Sequence, residues 1–317
     1  MIEAYSSVLV LGHLYSAWMN KQGEFSPSKL EQVLAAVANR ISDTEKVDLV
    51  VLAGDYVYLN SRDAITELNA QLIRFFPNCS IYAIPSNHEL CPDLRAESGG
   101  EIIEPYCGPS RWINVKSFKQ IGIADQEKRM VLYVDLVPSW QLSVSYNELQ
   151  EQIKLLGGDC AEDPVKCFHE RRIAVPLISE HDRLSLRSVE SQGGGVAVVT
   201  DLKWVVAPDY EKVFAGYGYV LVGDAGTSGY RSGWFRLSSE GTVFIQSAVA
   251  AHSIGHKGLI GSFFHITGEH VLQKAVDPIT LCDEHLEIDF ADVRDKINNK
   301  DLIKRMRRYV SRRLSGR

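Results

Sequence analysis

Apolar positions along the first ninety residues follow two different periods. Residues 7–11 (SVLVL), 49–53 (LVVLA) and 81–84 (IYAI) are short continuous apolar runs, rich in branched side chains and closed by Gly12, Gly54 and Pro85. Such runs predict strands buried on both faces, as in a parallel sheet. Between them the period lengthens. Leu30, Val33, Leu34, Val37 and Ile41 share one side of a helix opened by Pro27, and Ile65, Leu68, Leu72, Phe75 and Phe76 share one side of another. Strand, helix, strand, helix, strand predicts a parallel β-α-β-α-β unit. In an open α/β sheet, ligands bind at the carboxyl ends of the strands. Here those ends carry His13, Asp55, Asn87 and His88.

Asp55 gives that edge its chemistry. Gly54 lets the backbone turn and presents the carboxylate at the strand end. An unpaired buried charge is costly, so a metal ion or a basic side chain is implied beside it. Singly, each polar residue of the edge has an ordinary structural explanation: a satisfied histidine, a turn-capping Asp, an Asx-turn at Asn87. Four of them at successive strand ends favour a site.

Downstream, residues 118–124 and 130–134 predict two strands joined by the charged turn DQEKR. Residues 91–111 and 135–145 read as loops beside the site, and 147–156 as a helix with Leu149, Ile153 and Leu156 on one face. Further strands are predicted at 172–179, 217–222, 234–237 and 242–246, the last two completing a second sheet. The glycines at 193–195 lack a following G-K-[ST] and form no P-loop. The stretch 223–233 (GDAGTSGYRSG) leads into no helix and reads as a loop.

Composition narrows the class. With 45% hydrophobic and 23% charged residues in 317, the chain can bury a sizeable core. No apolar run reaches the roughly 20 residues of a membrane-spanning helix. The opening MIEAYSSVLVLGH has no basic residue before its apolar run, unlike a signal peptide. Cys79, Cys91, Cys107, Cys160, Cys167 and Cys282 show no C-x-x-C spacing, which predicts free thiols in a reducing cytoplasm. The net charge of −6 argues against a general nucleic-acid-binding surface, but it is unevenly spread. Residues 293–317 hold ten Lys and Arg against two Asp, a net +8, which leaves −14 on the rest. After Asn298 or Asn299, Ile303, Met306, Val310 and Leu314 fall on one face of a basic amphipathic helix. Such a helix docks on the chain's own acidic body, or on a protein, nucleic-acid or membrane partner.

The order of strand-end motifs is similar to that of the calcineurin-like metallophosphoesterases. Gly12-His13, Gly54-Asp55, Asn87-His88-Glu89, a later His181 and Gly223-Asp224-Ala225-Gly226 resemble that family's D-x-H, G-D, G-N-H-E/D, later His and G-H-x-H. The resemblance covers residues 6 to about 250. It implies an α/β four-layer αββα sandwich of two mixed sheets over 1–250, with 251–317 as an extension ending in the basic helix, and a two-metal site at the sheet edges.

The chain departs from the pattern at several ligand positions. Leu11 stands where the family's first Asp would be, Ser86 replaces a glycine, and Asp224 and Gly226 replace both histidines of the last motif. Carried over by position, the first metal would use Leu11, His13, Asp55 and Gly226, of which two can ligate. The second would use Asp55, Asn87, His181 and Asp224, and all four can. Either His181 or Glu180 could fill its place in the pattern. His88 would sit where the family has its acid for the leaving alkoxide. Zinc takes about four ligands and harder ions about six, so the residues could hold one divalent ion (Mn, Mg or Zn) or none. Losing an ion removes several kcal/mol of transition-state stabilisation, and each 1.4 kcal/mol is about tenfold in rate. Three readings stay open: a catalytically weak or inactive pseudoenzyme that acts by binding a phosphate-bearing ligand, a one-metal phosphoesterase, and a subunit anchored in an assembly by its tail.

Overall fold

The computed structural model describes residues 2–14, 27–58, 60–91, 108–156, 168, 171, 173–176, 195–200, 214, 216–223, 233–236, 243–246, 261–268, 270–275 and 287–289. The opening unit forms as predicted. Strands β1 (Ala4–Tyr5) and β2 (Ser7–Leu11) lead to helix α1 (Pro27–Ala38), β3 (Leu49–Ala53), α2 (Arg62–Phe75), β4 (Ser80–Ile84) and the single-turn α3 (Asn87–Leu90). Then come β5 (Trp112–Asn114), β6 (Lys119–Ala124), β7 (Met130–Val137), β8 (Trp140–Leu142), α4 (Tyr146–Leu156), β9 (Ala174–Pro176), β10 (Val196–Val199) and β11 (Tyr219–Val222). The remaining strands are β12 (Gly233–Arg236), β13 (Val243–Gln246), β14 (Ser262–Thr267), β15 (His270–Ala275) and β16 (Glu287–Asp289).

Among the described residues these strands make two seven-stranded mixed sheets and a ribbon. The first sheet runs β16-β15-β14-β2-β3-β4-β5 and the second β1-β6-β7-β10-β11-β13-β12, while β8 and β9 pair separately. In the first sheet β2, β3, β4 and β5 are parallel, with Val10 opposite Val51 and Val51 opposite Tyr82. The second has a parallel centre of β7, β10, β11 and β13.

Pleating explains the continuous apolar runs. Val8, Val10, Leu49, Val51, Tyr82 and Ile84 point inward and pack with Ile121, Val134, Leu136, Val198 and Leu221 of the second sheet. The alternate residues Leu9, Leu11, Val50, Leu52, Ile81 and Ala83 point outward, among Leu30, Val33, Leu34 and Val37 of α1 and Ile65, Leu68 and Leu72 of α2. Both faces of the first sheet are therefore dry, and only apolar side chains fit either one. The outward Ala197, Val199, Val220 and Val222 of the second sheet are buried as well. This is the α/β arrangement of two mixed sheets with helices that the motif order implied.

Several local expectations are corrected. Residues 135–145 are not simply a loop, because β7 continues to Val137 and β8 follows. The charge of Asp135 is accommodated inside the sheet: its buried carboxylate accepts from Gln120 Nε2 at 2.8 Å and from the Tyr217 hydroxyl at 2.5 Å. Strands β5, β10, β14, β15 and β16 were not expected. Of these, β14 is hydrogen-bonded antiparallel to β2, so the first sheet includes residues beyond 250. The basic helix expected near 298–317 lies outside the described residues. Among the described residues, no helix is long and apolar enough to cross a membrane.

Candidate functional site

The carboxyl ends of β2 and β3 meet those of β10 and β11, and the contact is made by glycines. A Cβ at Gly12 would overlap the carbonyl oxygen of Gly223, and a Cβ at Gly223 would overlap that of Ala53. Gly54, at φ +74°, faces Thr200 closely enough that a Cβ there would lie 2.6 Å from the threonine Cβ. Backbone from both sheets is thus in contact at this edge. The His13 N–H donates to the Gly54 carbonyl at 3.0 Å, which locks the first two loops together.

Two non-glycine residues here hold left-handed backbone: His13 at φ +56° and Asp55 at φ +49°. Such conformations are costly for ordinary residues and collect at functional sites. Both side chains are buried, and His13 Nδ1 lies 3.3 Å from Asp55 Oδ2. The other Asp55 oxygen, Oδ1, accepts from the Ser86 hydroxyl. Burial pushes the Asp55 carboxyl up, but the His88 imidazole, then His13 and Ser86, outweigh it and hold it well below the usual carboxylate range. Asp55 is ionised.

The third loop is built around Glu89. Ser86 and Glu89 form a capping box at the start of α3. The Glu89 carboxylate, nearly inaccessible to solvent, accepts the backbone N–H groups of Asp55 at 3.1 Å, Val57 at 3.0 Å and Ser86 at 2.9 Å. It also lies 2.7 Å from Ser86 Oγ. One carboxylate therefore fixes both the turn carrying Asp55 and the turn carrying Asn87. Burial, and then the charge of Asp55, push the Glu89 carboxyl up, partly offset by the Val57 and Ser86 N–H donors and the His88 imidazole. Beside it, the Asn60 side-chain amide donates to the Glu89 carbonyl at 2.9 Å.

His88 Nδ1 is 2.9 Å from the Tyr58 carbonyl. A carbonyl only accepts, so Nδ1 carries the proton, and Nε2 becomes the nitrogen that exchanges one. The Tyr58 ring lies against the imidazole with centroids 5.4 Å apart.

His13, Asp55 and His88 therefore share one edge, with Asn87 buried next to His88 in α3. His181 and Asp224 lie outside the described residues, although Gly223 touches Ala53 at this edge. Glu89 was overlooked as an organiser, though Ser86-Asn87-His88-Glu89 spells the S-x-x-E capping box. Among the described residues, no group of three or more His, Cys, Asp or Glu could hold a metal ion. The fit to two ions fails at Leu11, which points into the helix-side core. The 3.3 Å between His13 Nδ1 and Asp55 Oδ2 is the distance of a direct side-chain contact. Of the four residues expected to hold a single ion, Asp55 and Asn87 are described and lie at this edge.

The chain is an α/β protein of two mixed sheets with histidines and a carboxylate at one shared edge. The family model for calcineurin-like phosphoesterases matches residues 9–174, and the chain belongs to that family. A cold-active protein-tyrosine phosphatase of a psychrophilic Shewanella species is 13% identical, with 91% of this chain and 82% of that one aligned at a TM-score of 0.37. A mutant form of a cold-active protein-tyrosine phosphatase is 14% identical, with 91% of this chain and 82% of that one aligned at 0.39. The NAD nucleotidase of Haemophilus influenzae is 10% identical at a TM-score of 0.40, with 90% of this chain covering 48% of that one. A search among curated proteins finds no match.

Proposed function

We propose that this chain is a divergent calcineurin-like phosphoesterase whose metal centre is crippled, so that it is catalytically weak or inactive. It acts in the cytoplasm by binding a phosphate-bearing ligand or by joining an assembly. The observation that carries this reading is Leu11. At the position of the family's first carboxylate, its side chain is fully buried among the residues of α1 and α2. Neither its chemistry nor its direction supplies a ligand. His13 and Asp55 then remain as donors on that half of the site, fewer than zinc or a harder ion takes. Cys79 and Cys91, both buried free thiols, support a reducing compartment.

A second reading is favoured by His88. Its Nδ1 contact with Tyr58 prepares Nε2 to deliver a proton to a leaving alkoxide. On this reading Asp55, Asn87, His181 and Asp224 hold one Mn, Mg or Zn ion, which would polarise a phosphoryl oxygen. Asp55, kept ionised by its neighbours, orients the edge, and Glu89 fixes the Asp55 and Asn87 turns. The test is hydrolysis of p-nitrophenyl phosphate and bis-p-nitrophenyl phosphate with each ion added. Turnover near the detection limit is expected. Robust turnover that disappears in Asp55→Ala overturns the first reading in favour of the second.

A further inference from the structure

We infer that a second cleft, at the opposite end of the first sheet from His13 and Asp55, binds a small hydroxyl-rich phosphate ester of the sugar-phosphate class. The inference makes no use of the histidine-bearing edge and goes beyond the function proposed for it.

The cleft has a volume of about 890 Å³, within the range of small-molecule sites. Its walls come from both sheets. Ser6 and Ser7 stand at the amino end of β2, and Ser42, Asp43 and Lys46 on the segment before β3. Asp125, Gln126 and Arg129 come from the β6–β7 turn, and His265, Thr267 and His270 from around the β14–β15 turn.

Two of these segments carry one cation and one carboxylate each, and the two signs are not equally available. Asp43 Oδ1 accepts the Glu45 N–H at 3.2 Å, and its Oδ2 lies 3.0 Å from Lys46 Nζ. Asp125 Oδ1 accepts the N–H groups of Glu127 and Arg129, both at 2.9 Å, and its Oδ2 accepts from Arg129 Nε at 2.9 Å. Every carboxylate oxygen is therefore taken. The cations keep donors in reserve: among the described residues, Lys46 Nζ meets only Asp43, and Arg129 Nη1 meets no acceptor. Both cations are exposed, and exposed pairs are weakly held. Positive charge is what the cleft has left for a ligand, and the spare Arg129 N–H groups suit phosphate oxygens.

The other lining residues set the rest of the ligand. The hydroxyls of Ser6, Ser42 and Thr267 and the Gln126 amide donate and accept alike, as sugar hydroxyls require. His265, whose Nε2 is 2.9 Å from Ser7 Oγ, and His270 add ring nitrogens. Apolar side chains come from Ile41, Ala124 and Val131, and among the described residues no Phe, Tyr or Trp lines the cleft. A base finds no such ring to stack on and an acyl chain no apolar bed, which disfavours nucleotides and lipids.

The experiment is calorimetric titration of the full chain with ribose 5-phosphate and glucose 6-phosphate, beside ribose, inorganic phosphate and AMP. At least one sugar phosphate is expected to bind about tenfold tighter than either inorganic phosphate or ribose, and AMP no tighter than ribose 5-phosphate. Arg129→Gln and Lys46→Gln should each weaken that binding about tenfold, the worth of a hydrogen bond to a charged group. Asp55→Asn should leave it unchanged. Circular dichroism shows which variants fold, and either cation variant decides if the other does not. Neither sugar phosphate binding at millimolar concentration overturns the inference. So does equal affinity for inorganic phosphate, which marks an adventitious ion only, and so does tighter binding of AMP. Binding that survives both cation substitutions overturns it too. Loss in folded Asp55→Asn, with retention in Arg129→Gln, puts the ligand at the histidine-bearing edge instead and overturns the cleft while supporting the proposed function.

Discussion

Asp135 shows what a single buried charge does in this fold. Burial pushes its carboxyl up, and the Tyr217 and Gln120 donors take back only part of that. The Tyr217 hydroxyl is itself pushed up, by burial and then by the charge of Asp135. An unfolded Asp titrates at about 3.9. Between that pH and the raised folded value, the folded chain holds the proton more tightly, so its stability falls as pH rises. The contribution is fully present below the unfolded value and lost through the folded one. Urea unfolding of wild type and Asp135→Asn across this range checks it. The wild type's advantage should shrink as pH rises from about 4 and then level off; an advantage that grows with pH refutes the assignment. Residue-scale reading of the sequence was uneven in the same way. His13, Asp55 and His88 were legible because each follows an unmistakable apolar run. Asp135 was not, because its partner Tyr217 is 82 residues away and no local pattern reports such a pair.

At the scale of elements, three glycines decide how closely the two sheets approach. Gly223 is at once the neighbour that a Cβ on Gly12 would strike and the residue whose own Cβ would strike Ala53. The atoms in the way are backbone atoms and a Cβ lying 2.6 Å off, with no flexible side-chain tip among them. Gly223→Ala is therefore expected to cost about 1–3 kcal/mol, as overpacking does, and to lower the melting temperature. An unchanged melt would mean that the β11 end is not held against β3. The sequence announced β2, β3 and β4 because both of their faces are dry, and that requires unbroken apolar runs. It hid β10, a four-residue run directly after glycines that read as a loop. It also hid β14 and β15. Their histidines belong to an antiparallel pair in which His265 Nε2 lies 2.9 Å from Ser7 Oγ of β2.

For the whole molecule, the unequal distribution of charge is the property that no single element explains. A net +8 over residues 293–317 faces −14 on the rest of the chain. The apolar stripe of Ile303, Met306, Val310 and Leu314 gives the predicted helix something to bury besides charge. Salt separates self-docking from recruitment poorly, since it screens attraction to the body and to an acidic partner alike. Truncation separates them better. A tail docked on the body loses its packing when residues 298–317 are deleted, and the surface it covered becomes exposed. The melting temperature should then fall and the truncated protein should self-associate, read by calorimetry and by light scattering. A tail that serves only to recruit a partner leaves both unchanged, while binding to anionic vesicles, nucleic acid or an acidic protein is lost. The stripe favours docking: four apolar residues on a solvated recruitment helix would stay exposed whenever the partner is absent, whereas on the acidic body they are covered at all times. An unaltered melt together with an unaltered monomer overturns the docked arrangement.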